Sequence, residues 1–440
     1  MPSPARNWVP AELEAAIQTQ AARYRALTSS QLEAEVEHLL AQHEQFMDRE
    51  CLSFYAGTNI MNPRAAKFLS AGVSSRPSLG YPGDKYETGL QHAEQLEIIV
   101  AELLKEIFHC NYVEFRVGSG SLANLYTYMA CAWPGDRIMA FSEAAAGHVT
   151  HHAAGAAGLY GLKIYEVPYN AAHMTVDLEA LARRAQEVKP RLIIIAGSMC
   201  LFPYPVAAVR QIADAVGAWL MYDAAHMSGL IAGGEFQQPL AEGAHVMTSS
   251  TYKSFGGPPS GMVLTNSAEL AERLDKIAFP GLTANFDLSK TAALIIAALD
   301  LRDFGREYAR MCIANAQALA QALHERGCPV YGVEGKGFTA SHHMAMPAAQ
   351  FGGGTRASRH LEKANLLASG IGLPLPPIAN DYNAIRLGTQ EITRWGLRPG
   401  DMPAVADFFA RILVKGEPPE RVKPEVIAFR QQFQTLHFVR

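Results

Sequence analysis

The chain has 440 residues, 38 Lys+Arg against 42 Asp+Glu and a formal net charge of −4, with 49% hydrophobic and 18% charged residues. Near-balanced charge without a Lys/Arg run leaves no electrostatic footprint for nucleic acid or an anionic membrane, which favours small-molecule chemistry. No apolar run reaches the roughly 18 residues of a membrane span and residues 1–6 open no apolar signal core, so a soluble cytoplasmic protein is expected. The six cysteines contain no C-x-x-C pair and read as small buried hydrophobes, not as disulfides or a zinc site.

In chain order, residues 10–50 carry helical periodicity, with a helix start at Ser29-Ser30-Gln31, and predict a helical arm. The Gly/Pro/Ser-rich stretch 56–84 predicts an ordered, function-bearing loop with short helices. Short apolar runs at 112–117, 136–140, 163–167, 191–196, 219–223 and 245–248 then alternate with helical segments. This predicts an α/β domain with a mostly parallel sheet, helices on both faces, and sites at the strands' carboxyl ends. A long helical pattern over 288–326 leads into short strands and helices. The expected division is an arm at 1–50, a large α/β domain at 51–300 and a small α+β domain at 301–440.

The strongest chemical signal is the small, polar run from Thr248 through Ser249-Ser250-Thr251-Tyr252 to Lys253, followed by Gly256-Gly257. Such a run lets an amine approach a bound group closely while hydroxyls and N–H groups hold a phosphate, and Lys253 is placed to form a Schiff base. Alone, Lys253 reads as a surface lysine and Asp223 as a helix cap. Together, an acid ending an apolar strand and a lysine after the next strand fit pyridoxal phosphate (PLP), whose ring nitrogen needs a carboxylate to stay protonated. Val117-Gly118-Ser119-Gly120-Ser121 places glycines and serines where a strand turns into a helix, a phosphate-binding arrangement. His148, His151 and His152 have helix-face spacing, but without H-E-x-x-H or a further Cys/His cluster no metal is expected.

The ordered series resembles the serine hydroxymethyltransferase family of fold-type I PLP enzymes, from about residue 52 to 409. The matching pieces include Gly80-Tyr81-Pro82-Gly83, Ser119-Gly120-Ser121, Gly147-His148-Val149-Thr150-His151, Asp223-Ala224-Ala225-His226, Tyr252-Lys253 and Ile385-Arg386-Leu387-Gly388. The resemblance implies that Lys253 holds PLP, Asp223 pairs with the ring nitrogen, and His148 stacks on the ring. It further implies a phosphate site at Ser119, Gly120 and Ser121, with His226 and Ser198 near the ring hydroxyl and Ser250 also binding the cofactor. Arg386 would clamp the substrate carboxylate, aided by Asn59 and Tyr86. A homodimer or larger is implied, because loops of one subunit complete the other's site; the segment 279–285, with Asn285, is the candidate to reach a neighbour's phosphate.

Departures bear on the substrate. Gly57-Thr58-Asn59 stands for the family's Ser-Glu-Asn, Leu79 for a glutamate used with folate, Tyr86-Glu87 for paired tyrosines, and Gln390 for a proline. No pterin-contacting asparagine is found in 370–377. Tetrahydrofolate is therefore not expected to be obligatory. The fitting member is an α-methylserine aldolase, an amino-acid Cα–Cβ lyase releasing an aldehyde, with Glu87 as the base for the hydroxyl proton. A tetrahydrofolate-dependent hydroxymethyltransferase is the alternative within enzymes, and a PLP-fold binding module without turnover the alternative outside them. For Glu87 the plainer reading is a loop carboxylate paired with Lys85 or Arg76.

Overall fold

The computed structural model describes residues 4–283 and 285–440. Residues 1–3 of the amino-terminal segment and Ala284 of the 279–285 segment lie outside the described residues. The chain forms two compact units, Met1–Cys51 and Leu52–Arg440. The first holds α1 (Ala11–Arg25) and α2 (Ser29–Glu44). Thr28 caps α2: its side chain accepts the Gln31 N–H while the Gln31 side chain accepts the Thr28 N–H, satisfying two end groups reciprocally.

In the second unit, the strands of a seven-stranded sheet are β1 (Tyr112–Val117), β2 (Arg137–Ala140), β3 (Lys163–Glu166), β4 (Leu192–Ala196), β5 (Trp219–Asp223), β6 (Val246–Ser250) and β7 (Gly261–Thr265). Their spatial order is β1-β7-β6-β5-β4-β2-β3. β3, β2, β4, β5 and β6 pair in parallel, and β7 runs antiparallel between β6 and β1. Strand period two divides the side chains: Ile193, Ile195, Leu220 and Tyr222 enter one core, whereas Leu192, Ile194 and Met221 enter the other. Both faces are thus covered, as continuous apolar strands require.

Among the helices, α3 (Ala93–Phe108) precedes β1 and α4 (Gly120–Cys131) follows it, with the Ser119 hydroxyl accepting the Leu122 N–H at its start. α5 (Leu288–Glu325) has 38 residues and is N-capped by Asp287. Its Leu294, Leu301 and Tyr308 enter a core of the large sheet, while Ala316, Leu319 and Leu323 enter the carboxyl-terminal core. That second core covers the antiparallel sheet of β8 (His343–Pro347), β9 (Ser369–Ile371) and β10 (Ala384–Gly388), ordered β8-β10-β9.

Residue 300 falls inside unbroken α5, because both halves of that helix face a core. Leu52–Ser53 pairs in parallel with Leu366–Leu367, and Leu52 and Phe54 are buried in the carboxyl-terminal core.

Candidate active site

The parallel strands deliver their polar residues to one end of the sheet, outside their carboxyl termini. Asp223 ends β5, Lys253 follows β6, His148 lies beyond β2 and Ser198 beyond β4, while β10 of the second sheet supplies Arg386. A cavity of about 590 Å³ is lined by Tyr55, Gly57, Thr58, His148, Ser198, Tyr252, Lys253, Tyr382 and Arg386, among others. A smaller recess sharing His148, His226, Tyr252 and Lys253 is lined also by Gly120, Ser121, Asn124, Asp223 and Ser250.

Lys253 is 6% exposed, and burial pulls its amine down to about 8 against the opposing charge of Asp223. Its Nζ lies 3.1 Å from His226 Nε2. His226 Nδ1 is 3.0 Å from the Ala56 carbonyl and must donate to it, leaving the Nε2 lone pair facing Lys253 and Arg386 Nη1, the latter at 3.4 Å. Burial, reinforced by Lys253 and Arg386, holds His226 well below the usual histidine range, so it is a neutral acceptor. His148 is likewise pulled down to about 4 by burial.

Burial opposes the charge of Asp223, yet the hydrogen bond from His151 holds its carboxyl well below the usual range. His151 Nε2 lies 2.9 Å from Asp223 Oδ2, and the Asn124 amide and Ala225 N–H also donate to the carboxylate, at 3.2 and 2.9 Å. Arg386 is 7% exposed; burial draws its guanidinium down to about 10, still charged at neutral pH. Nη1 donates to the Ser198 carbonyl at 2.5 Å and Nη2 to Ser369 Oγ at 3.3 Å, while Nε is buried without a partner. No carboxylate is among these partners, so the charge is available to an anionic ligand.

The residues fit PLP. A buried, weakly basic amine faces an ionised, buried carboxylate across a recess bounded by the amino terminus of α4. At Gly120 a Cβ would lie 2.3 Å from Ser250 Oγ, so only glycine lets the helix start close to β6.

Several expected members are placed otherwise. The Asn59 amide donates to the Lys253 carbonyl at 3.0 Å and to the Tyr308 hydroxyl at 2.9 Å, so it fixes the lysine's backbone instead of facing a ligand. Tyr86 is 86% exposed, and neither it nor Glu87 lines the Lys253 cavity of its own chain. Glu87 accepts the Leu79 N–H at 3.0 Å, and the Lys85 proposed as its partner pairs with Glu97 at 2.7 Å. Asn285 lines a separate cleft with Gly118, Ser260 and Lys290. The three histidines diverge: His148 Nδ1 meets Thr150 Oγ1, His151 meets Asp223, and His152 Nε2 donates to the Phe141 carbonyl. Among the described residues no group of three His, Cys, Asp or Glu side chains is arranged around a metal position.

Sequence reasoning missed Asn124, Tyr128, Tyr55 and Tyr382. Asn124 had a signal, lying one helical turn after Gly120 on the face that carries the Gly/Ser turn. Gln390, noted as a departure, donates to the Tyr55 and Thr58 carbonyls at 2.9 and 2.7 Å and so holds one wall of the cavity.

Fold and site together define a fold-type I PLP enzyme. A family model described as serine hydroxymethyltransferase matches residues 30–409. An α-methylserine aldolase of Ralstonia sp is 47% identical over 99% of both chains, and one of Variovorax paradoxus 52% identical over 93% of both. A serine hydroxymethyltransferase of Staphylothermus marinus is 35% identical over 92% of both chains. The solved structure of L-threonine transaldolase from Pseudomonas fluorescens in its internal aldimine state matches with a TM-score of 0.84 and 25% identity, covering 97% of this chain and 96% of that one. The chain belongs to the serine hydroxymethyltransferase family and catalyses PLP-dependent, aldolase-like chemistry at a Cα–Cβ bond. No described helix is long and apolar enough to cross a membrane.

Proposed function

We propose that this chain is a folate-independent α-methylserine aldolase of the cytoplasm, which divides its substrate into formaldehyde and alanine. The observation that carries the reading is Leu79. Before Gly80-Tyr81-Pro82-Gly83, where the family carries a glutamate used with folate, stands an apolar residue whose backbone N–H donates to Glu87. The higher identity to α-methylserine aldolases than to serine hydroxymethyltransferases supports it. So does the wall formed by Gly370, Ile371 and Gly372, which offers no side-chain amide to a pterin.

In this reading Lys253 carries the cofactor, Asp223 keeps its ring nitrogen protonated, His148 covers the ring, and Ser119, Gly120, Ser121 and Ser250 hold the phosphate. The cofactor supplies the sink for the electron pair released when Cα–Cβ breaks. Arg386 would grip the substrate carboxylate with its fork and so fix the substrate's orientation in the cavity. Neutral His226 keeps a lone pair between Lys253 and Arg386, able to take a proton from the amine. Glu87, which does not line the Lys253 cavity of its own chain, would take the hydroxyl proton from a neighbouring copy's substrate in a homodimer, and formaldehyde would leave. A proton returned to Cα completes alanine.

The test is formaldehyde release from α-methylserine and from serine by the PLP-loaded protein, with and without tetrahydrofolate. Release from α-methylserine without tetrahydrofolate is expected; release only in its presence overturns the reading in favour of a hydroxymethyltransferase.

A further inference from the structure

Behind Asp223, away from the cavity, a line of buried polar groups ends at a phenol that the reaction scheme does not use. Tyr128 lies two turns into α4 and is fully buried, as are His151 and Asp223 to within 2% exposure. Its hydroxyl is 2.5 Å from His151 Nδ1 and 3.2 Å from the Thr150 carbonyl. His151 Nε2 is in turn 2.9 Å from Asp223 Oδ2. The Asn124 amide bridges Thr150 Oγ1 and Asp223 Oδ2, and its own carbonyl oxygen accepts from Thr248 Oγ1 at 2.7 Å.

Counting protons along this line restricts it. The phenol has one proton and two acceptors within reach, and burial together with the Asp223 charge raises its pKa well above the usual value, so it keeps that proton. An ionised Asp223 only accepts, so Nε2 must carry a hydrogen toward it. A neutral His151 then has a bare lone pair at Nδ1, and the shorter of the two contacts of Tyr128 is the one aimed there. Asp223 by itself favours the form protonated at Nε2, and the phenol reinforces it with a donor that only a bare Nδ1 can accept from. The form protonated at Nδ1 would turn a lone pair against the lone pairs of Asp223, and the carboxylate could then remain in place only by taking up a proton.

We infer that Tyr128 is a positioning residue: its hydroxyl fixes His151 in the form protonated at Nε2, and thereby keeps Asp223 an anion for the cofactor's ring nitrogen. The inference rests on the assignment of Asp223 to that nitrogen.

The experiment compares wild type, Tyr128→Phe, His151→Asn, the double variant and Asp223→Asn, each stripped of cofactor and titrated with PLP by absorbance, then assayed when loaded. Tyr128→Phe is expected to weaken PLP binding and lower kcat each by about tenfold with KM within about twofold, as expected when a ring loses the group that sets its protonation. The double variant should be no worse than His151→Asn alone, because both substitutions break the same line. Losses that multiply in the double variant, or PLP binding and kcat unchanged in Tyr128→Phe, overturn the inference. If Asp223→Asn itself leaves PLP binding and kcat unchanged, the assignment of Asp223 fails instead. Nitrogen NMR of histidine-labelled wild type, with His151 assigned through His151→Asn, reads the same point without altering Tyr128. Nε2 is expected protonated and Nδ1 bare; the reverse overturns the inference even where Tyr128→Phe does not fold.

Discussion

At Lys253 the protein keeps an amine close to neutrality by burying it, and that leaves a thermodynamic trace. Its proton is held to about 8 in the folded chain against 10.5 for an ordinary lysine. Between those values the unfolded chain binds more protons, so folding of the cofactor-free protein gains stability as pH rises through that window. The shift corresponds to at most about 3 kcal/mol, taking 1.36 kcal/mol per pH unit. Lys253→Met should remove that slope, with the variant more stable than the parent near pH 7 and equal to it near pH 11. Urea unfolding of the two cofactor-free proteins across the window measures the difference, and parallel curves would refute it.

At the scale of elements, the site depends on backbone approaches that admit no side chain. Gly229, in the short helix Ser228–Ala232, would bring a Cβ to 2.2 Å from the Ser254 carbonyl, beside Lys253. Because the obstacle is backbone, Gly229→Ala must displace the lysine's segment, at an overpacking cost of about 1–3 kcal/mol. The expected outcome is a lower urea midpoint together with a greater than tenfold loss of PLP affinity, measured by absorbance titration; an unaltered affinity would show that the segment can shift freely. The parallel strands were legible in the sequence because a strand buried on both faces is an uninterrupted apolar run, as at Leu192–Ala196. β7 was not, since Gly261 closes a glycine-rich stretch and Met262–Leu264 alone is too short to distinguish from loop. Asp223 and Lys253 were legible as a pair, an acid ending one apolar strand and a lysine following the next, whereas the role of Arg386, in the middle of Ala384–Gly388, came only from the family resemblance. The contacts of Tyr128 and Asn59 were not legible, because their partners lie at distances along the chain that no local pattern encodes: 23 residues from Tyr128 to His151, and 194 from Asn59 to Lys253.

At the scale of the whole molecule, the groups that would hold cofactor and substrate are divided between two sheets. Lys253, Asp223 and His148 stand at the end of the large sheet, and Arg386 on the small one. A substrate attached at the lysine's position and held by its carboxylate therefore ties the two together. α5 does so within the chain itself: 38 residues make a rod of about 57 Å at 1.5 Å per residue, with one half in each core. Melting either core would strip half of that helix of the tertiary packing from which a helix in a protein draws most of its stability. The residues from Leu52 onward should therefore unfold as a single cooperative unit. Calorimetry should give one transition for both cores, and proteolysis under partial denaturation should release no stable fragment ending within 288–325; a surviving large-sheet fragment would show that the two cores melt independently.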